Sequence, residues 1–210
     1  MADLPELLVP DADAWHAWLL EHHASSAGVS LVLTKKNGTT TQLTYDQAVA
    51  EALCFGWIDG RRNARDAETF ANRFTPRRPG GMWSQRNVRL VERLIADGRL
   101  QPAGLAQVEA ARADGRWERA YAGSASAEPP AELAAALAEH PGARGIYAEL
   151  NAANRFALYH RVQTLKRPES RVRRARELVA LLEQRIAPHP QPGFSTPPRK
   201  PSPPKSPSAE

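Results

Sequence analysis

Arginine, tryptophan and hydrogen-bonding side chains crowd into one short window of this chain. From Cys54 to Asn87 it reads CFGWIDGRRNARDAETFANRFTPRRPGGMWSQRN. Trp57, Asp59, Arg61, Arg73, Arg77, Trp83, Ser84 and Asn87 are the side chains there that could do chemistry. Arginine offers a planar fork of donors that fits a carboxylate or phosphate bidentately. Ser84 is a good N-cap, and a helix beginning there presents unpaired N–H groups and partial positive charge to an anion. Trp57 and Trp83 could wall such a site, and Asp59 could orient an arginine or accept a proton. The competing reading makes Trp57, Phe70, Phe74 and Trp83 core residues, with Asp59 paired to Arg61 or Arg73. Both stand at this point.

A second group lies far along the chain in Asn154-Arg155-Phe156 with Tyr159. Helical spacing puts Arg155, Tyr159 and Gln163 on one face, where Asn154, Arg155 and Tyr159 could complete a pocket begun by the first window. A ligand there should carry an anionic group, either a small molecule or a peptide carboxylate, because arginines dominate both motifs. The alternative is an ordinary amphipathic helix with Phe156, Tyr159 and Val162 turned inward.

Other chemistries have little support. His16, His22 and His23 match no metal-ligand spacing, and a structural zinc site would need cysteines beyond the single Cys54. Cys54 ends an apolar run, where a buried, inert thiol is the commoner case. Gly80-Gly81 falls well short of a phosphate-binding loop. No catalytic residue, metal or cofactor is therefore assigned, and the reading favours a protein that is not an enzyme.

The elements that must hold these residues follow from periodicity. Trp15, Trp18, Leu19 and His22 recur at helical spacing after Asp11 and Asp13, so Asp11–His23 should be a helix. Val29–Lys35 reads as a strand, with a turn at Lys36-Asn37-Gly38. Thr44-Tyr45-Asp46-Gln47 is a capping box, and Gly56 is the expected left-handed stop of the helix it opens. Trp57–Asn63 and Glu68–Thr75 read as two strands joined around Arg65-Asp66. Phe70, Asn72 and Phe74 alternate with Thr69, Ala71, Arg73 and Thr75, as on a two-faced sheet. The pattern after Pro102 is helical, with Pro102, Pro130, Pro141 and Pro168 at helix starts. The expected fold is α+β, with a small antiparallel sheet in the N-terminal third, about six or seven helices, and an all-helical C-terminal part.

Three segments are expected: an α+β unit over 1–122, a helical unit over 129–187 packed on it, and a disordered Pro/Ser/Lys-rich tail over 188–210. The 210 residues carry a net charge of +5, which permits attraction to anionic partners, nucleic acid among them. One cysteine and an acidic N-terminus without a basic, apolar leader point to the cytoplasm, and no run is long enough to span a membrane.

Three stretches also carry a resemblance. LTYDQAVAEALCFGWIDG, NRFTPRRPGGMWSQRNVRLVERLIADGRL and NRFALYHRVQTLKRPESRVRRARELVALL together resemble the YdeI/OmpD-associated family of bacterial proteins, from about Asp11 to Ile186. The resemblance implies an association with an outer-membrane porin and with protection against bacteriocins or cationic antimicrobial peptides, and it implies no catalytic residue or cofactor. The Pro/Ser/Lys tail departs from the family core. The functional expectation is a cytoplasmic binding protein of envelope or antimicrobial-peptide stress with an Arg/Trp-lined site. A nucleic-acid-binding accessory protein and an enzyme using the same pocket are the alternatives.

Overall fold

The computed structural model describes residues 4–36, 38–124 and 126–197, so Asn37 of the expected turn and the tail from 198 lie outside it. The chain divides into two compact units, Met1–Ala120 and Tyr121–Glu210.

The first unit is a four-stranded sheet covered by helices. Its strands are β1 (Glu6–Leu7), β2 (Val29–Thr34), β3 (Trp57–Ala64) and β4 (Thr69–Pro76), in spatial order β1-β2-β4-β3. Both β2 and β3 run antiparallel to β4, as the alternating patterns predict, whereas β1 pairs parallel to β2. The sheet is therefore mixed rather than purely antiparallel. Two residues are too few to show a period, which is why β1 leaves no trace in the sequence. In register, Val29, Leu31 and Leu33 oppose Phe74, Asn72 and Phe70, so the face that β2 and β4 share is apolar except at Asn72.

Helices α1 (Ala12–His22), α2 (Tyr45–Cys54), α3 (Gln85–Ala96) and α4 (Pro102–Ala113) accompany this sheet. Asp11 caps α1 by accepting from the Ala14 N–H, and Ser84 caps α3 by accepting from Asn87. Thr44 and Gln47 close the capping box of α2 reciprocally, satisfying two helix-end donors at once. Trp15, Trp57 and Phe74 meet edge-on inside the core, and the Trp15 indole donates to the Ala48 carbonyl at 3.1 Å.

Glycine permits one close approach in this unit. Gly56 turns the chain out of α2 at φ +74°. Gly104 of α4 lies against the end of α2, so a Cβ there would overlap the Cys54 carbonyl oxygen and sit 2.8 Å from that of Leu53.

The second unit is helical: α5 (Ala131–Glu139), α6 (Pro141–Glu149), α7 (Ala152–Gln163) and α8 (Pro168–Glu183). Eight helices are thus present among the described residues, one or two more than expected. The break at His140-Pro141 accounts for part of the difference. Proline pushes the preceding residue out of the helical region, and His140 at φ −129° and ψ 81° ends α5 and begins α6. Leu133, Leu158, Val162, Leu178 and Leu182 build the core, and Arg171 pairs with Glu132 across α8 and α5 at 3.1 Å.

The segment expected to be disordered from 188 is a docked strap as far as 197. Arg185 reverses the chain at φ 54°, and Ile186 bridges Ser195. Asn154, fully buried on α7, accepts from the His189 N–H at 2.8 Å and donates to the His189 carbonyl at 3.2 Å and to Gln191 at 3.0 Å. Phe194 lies 4.7 Å from the Arg185 guanidinium and packs against the core of this unit. Composition argues for disorder, but one aromatic anchor and one buried amide suffice to fix the strap.

Replacing Gly104 by alanine should cost about 3 kcal/mol, at the upper end of ordinary overpacking, because the colliding atoms are backbone and cannot rotate away. Urea unfolding should show a lower midpoint at unchanged slope. An unchanged midpoint would mean that α4 can slide off the end of α2.

Candidate functional site

The window residues separate into an inner, packed set and an outer, solvent-facing one. Trp57 belongs to the core: it is 1 % exposed, and its indole donates to the His23 carbonyl at 3.1 Å. Asp59, on β3, accepts a 2.6 Å hydrogen bond from the Tyr45 hydroxyl of α2, so it pairs with neither Arg61 nor Arg73. Arg61 is exposed beside a bulge between Asp59 and Arg62 that shifts the register of β3. Arg73 is half-buried on β4, and its aliphatic carbons lie beside Gly60.

Arg77 and Trp83 form the centre of the inner set. The Arg77 guanidinium is buried 3.5 Å above the Trp83 ring and donates to the Met82 carbonyl at 3.4 Å. Trp83 in turn lies 4.9 Å from Trp117, with Arg112 5.2 Å from the far ring. The buried Arg116 donates to the Gly81 carbonyl at 2.7 Å and to both oxygens of Asp114 at 2.7 Å. Each cation over an indole contributes about 0.5–2 kcal/mol according to its desolvation. The loop 77–83 thus closes on itself. Ser84 and the 7 % exposed Asn87 are engaged with each other at the start of α3.

Sequence reasoning passed over Arg112, Arg116 and Trp117. The signal was DGRW, a turn followed at once by a guanidinium and an indole. Tyr45 was also missed. Burial, with the Asp59 carboxylate beside it, pushes its phenol up to about 12. Cys54 is fully buried and pushed up to about 11, first by burial and then by the nearby Glu51 carboxylate. Glu51, itself 6 % exposed, is held between His16 at 2.8 Å and Arg99.

The outer set lies on α3. Val91 and Leu94 turn inward, leaving Arg86, Arg89 and Arg93 along the opposite side, where with Glu92 and Ala96 they line a groove of about 560 Å³. Arg86 pairs with Asp46 at 2.6 Å, whereas Arg89 and Arg93 have no carboxylate partner among the described residues.

The three C-terminal candidates belong to the second unit and differ in kind. Asn154 is spent on the strap, and Tyr159 is buried with its hydroxyl accepting from the Ala122 N–H at 2.7 Å. Arg155 is exposed and lines a cavity of about 330 Å³.

This is an α+β protein with a helical C-terminal part, whose arginine surface is laid over an aromatic frame. Its helical segment is similar to a known family: residues 126–185 match the family described as Bacteriocin-protection, YdeI or OmpD-Associated. Residues 7–107 match a different family, described as a domain of unknown function (DUF8412). The resemblance drawn over Asp11–Ile186 is thus supported over 126–185, while its first two stretches fall in the other segment. No curated protein and no solved structure matches the chain.

The Tyr45–Asp59 bond sets a pH dependence. A phenol raised from 10.0 to about 12 stabilises the fold fully below pH 10 and loses that contribution as pH rises toward 12. Ultraviolet titration should show a phenol that ionises near pH 12 in the wild type and is lost in Tyr45→Phe. The variant should also lose less stability between pH 10 and 12. Identical alkaline profiles would contradict the assignment.

Proposed function

We propose that this is a non-catalytic, cytoplasmic binding protein of envelope or antimicrobial-peptide stress that takes a multiply charged anionic ligand on α3. The observation behind the ligand site is the row Arg86, Arg89, Arg93, lining one groove with two of its three cations unpaired among the described residues, while the stress role rests on the family similarity over 126–185 alone. Positions i, i+3 and i+7 share a helix face and span about 10 Å, which suits an anion with two or more charged groups better than a single carboxylate. The inner arginines support this role indirectly. Arg77 and Arg116 fix the corner from which α3 departs and so fix where the outer row points.

A cationic peptide would meet repulsion on this surface, so protection against such peptides would come through the anionic ligand rather than by capture. The same row supports a second reading, an accessory protein on nucleic acid, since spaced arginines also neutralise successive phosphates.

Thermal-shift titration with pyrophosphate, tripolyphosphate and a single-stranded oligonucleotide tests both readings. Tripolyphosphate should raise the wild-type Tm by a few degrees and leave an Arg89→Ala/Arg93→Ala variant unmoved. Equal shifts in the two proteins would remove the α3 site. Stabilisation by the oligonucleotide alone would replace the first reading with the second.

A further inference from the structure

The cavity of about 330 Å³ within the second unit has walls of two kinds. Pro129, Tyr147, Ala152 and Phe156 supply an apolar lining, and Phe156 is braced by stacking on Tyr159 at 5.9 Å. Glu128 and Arg155 supply opposite charges on the same cavity. These two are not paired with each other, and neither has an ion-pair partner elsewhere among the described residues. Both Tyr147 and Arg155 line this cavity, and burial pushes the Tyr147 phenol up while the Arg155 charge pulls it back.

From this arrangement we infer a binding site for a small zwitterion with an apolar side chain: a free amino acid of the leucine or phenylalanine type. Its carboxylate meets Arg155, its ammonium meets Glu128, and its side chain lies on Tyr147, Phe156 and Pro129. An anion alone would leave Glu128 facing it across the cavity, and a cation alone would face Arg155. A ligand carrying both charges complements both walls and costs neither an unmatched charge. Bidentate geometry at Arg155 and an aromatic floor favour an α-carboxylate on an apolar body over a polar osmolyte. The volume admits one such molecule and not a folded peptide. This site does not depend on the anion reading of α3, since all its residues lie in the other unit.

Calorimetric titration of the full chain with L-phenylalanine tests it, alongside L-phenylalaninamide, which lacks the carboxylate, and 3-phenylpropionate, which lacks the amine. Phenylalanine should bind at least tenfold more tightly than either analogue. Arg155→Ala should abolish its advantage over the amide, and Glu128→Gln its advantage over the phenylpropionate. Both side chains are exposed, so these variants should fold, and Arg89→Ala/Arg93→Ala should bind phenylalanine as the wild type does. Absence of heat at millimolar phenylalanine, or equal affinity for the three compounds, would overturn the site. Unchanged selectivity in both single variants would do the same.

Discussion

A guanidinium buried on an indole is the contact on which the rest of the window depends. Arg77 covers Trp83, and Trp83 rests against Trp117 below. Arg77 comes right after the last residue of β4, and Trp83 immediately precedes the Ser84 cap of α3, so the stack ties the end of the sheet to the start of a helix. The intervening residues, Arg78 to Met82, include Pro79, Gly80 and Gly81 and could not hold such a corner by their own packing. Arg116 completes it by taking the Gly81 carbonyl. Burying a charged group is costly unless its donors and its ring face are matched, and here both kinds of contact are used. The direction of α3, and with it the outward row of arginines, follows from this stack.

The same reasoning explains which residues of the window revealed themselves. Caps and stops were legible because they are local chemistry. Asp11, Thr44 with Gln47, Ser84 and Gly56 each do in the structure what their type and neighbours require. The alternation of Phe70, Asn72 and Phe74 likewise gave the inner face of β4. Long-range pairings were not legible. Asp59 lies among arginines in sequence yet accepts from Tyr45, because the return of β3 beside α2 decides its neighbour. Arg77 and Arg86 look alike in the sequence, but one is buried and the other is exposed. The strap over 188–197 was misread because composition averages over residues, whereas docking needs only Phe194, Gln191 and the receptive Asn154. Pattern reasoning weighs many weak signals and misses a single strong contact.

Two family matches on one chain bear on function. The YdeI/OmpD-associated match lies over 126–185, and the arginine row lies within 7–107, in the segment of unknown function. Roles attached to the first family by name therefore do not transfer to the row on α3, whose chemistry rests on its own geometry. The division also separates two kinds of recognition. The face of α3 offers only charge, suited to a multiply charged partner. The cavity of the second unit combines two opposite charges with an aromatic lining, suited to a small and more specific one.

The most direct test of the inner and outer sets is a map of backbone and arginine Nε resonances during titration with tripolyphosphate. The account predicts shifts concentrated at Arg86, Arg89 and Arg93, with Arg77 unmoved on its ring and Arg116 unmoved between Asp114 and the Gly81 carbonyl. Shifts centred on Arg77 and the 77–83 loop, with α3 silent, would contradict it and make the stacked arginine the binding group.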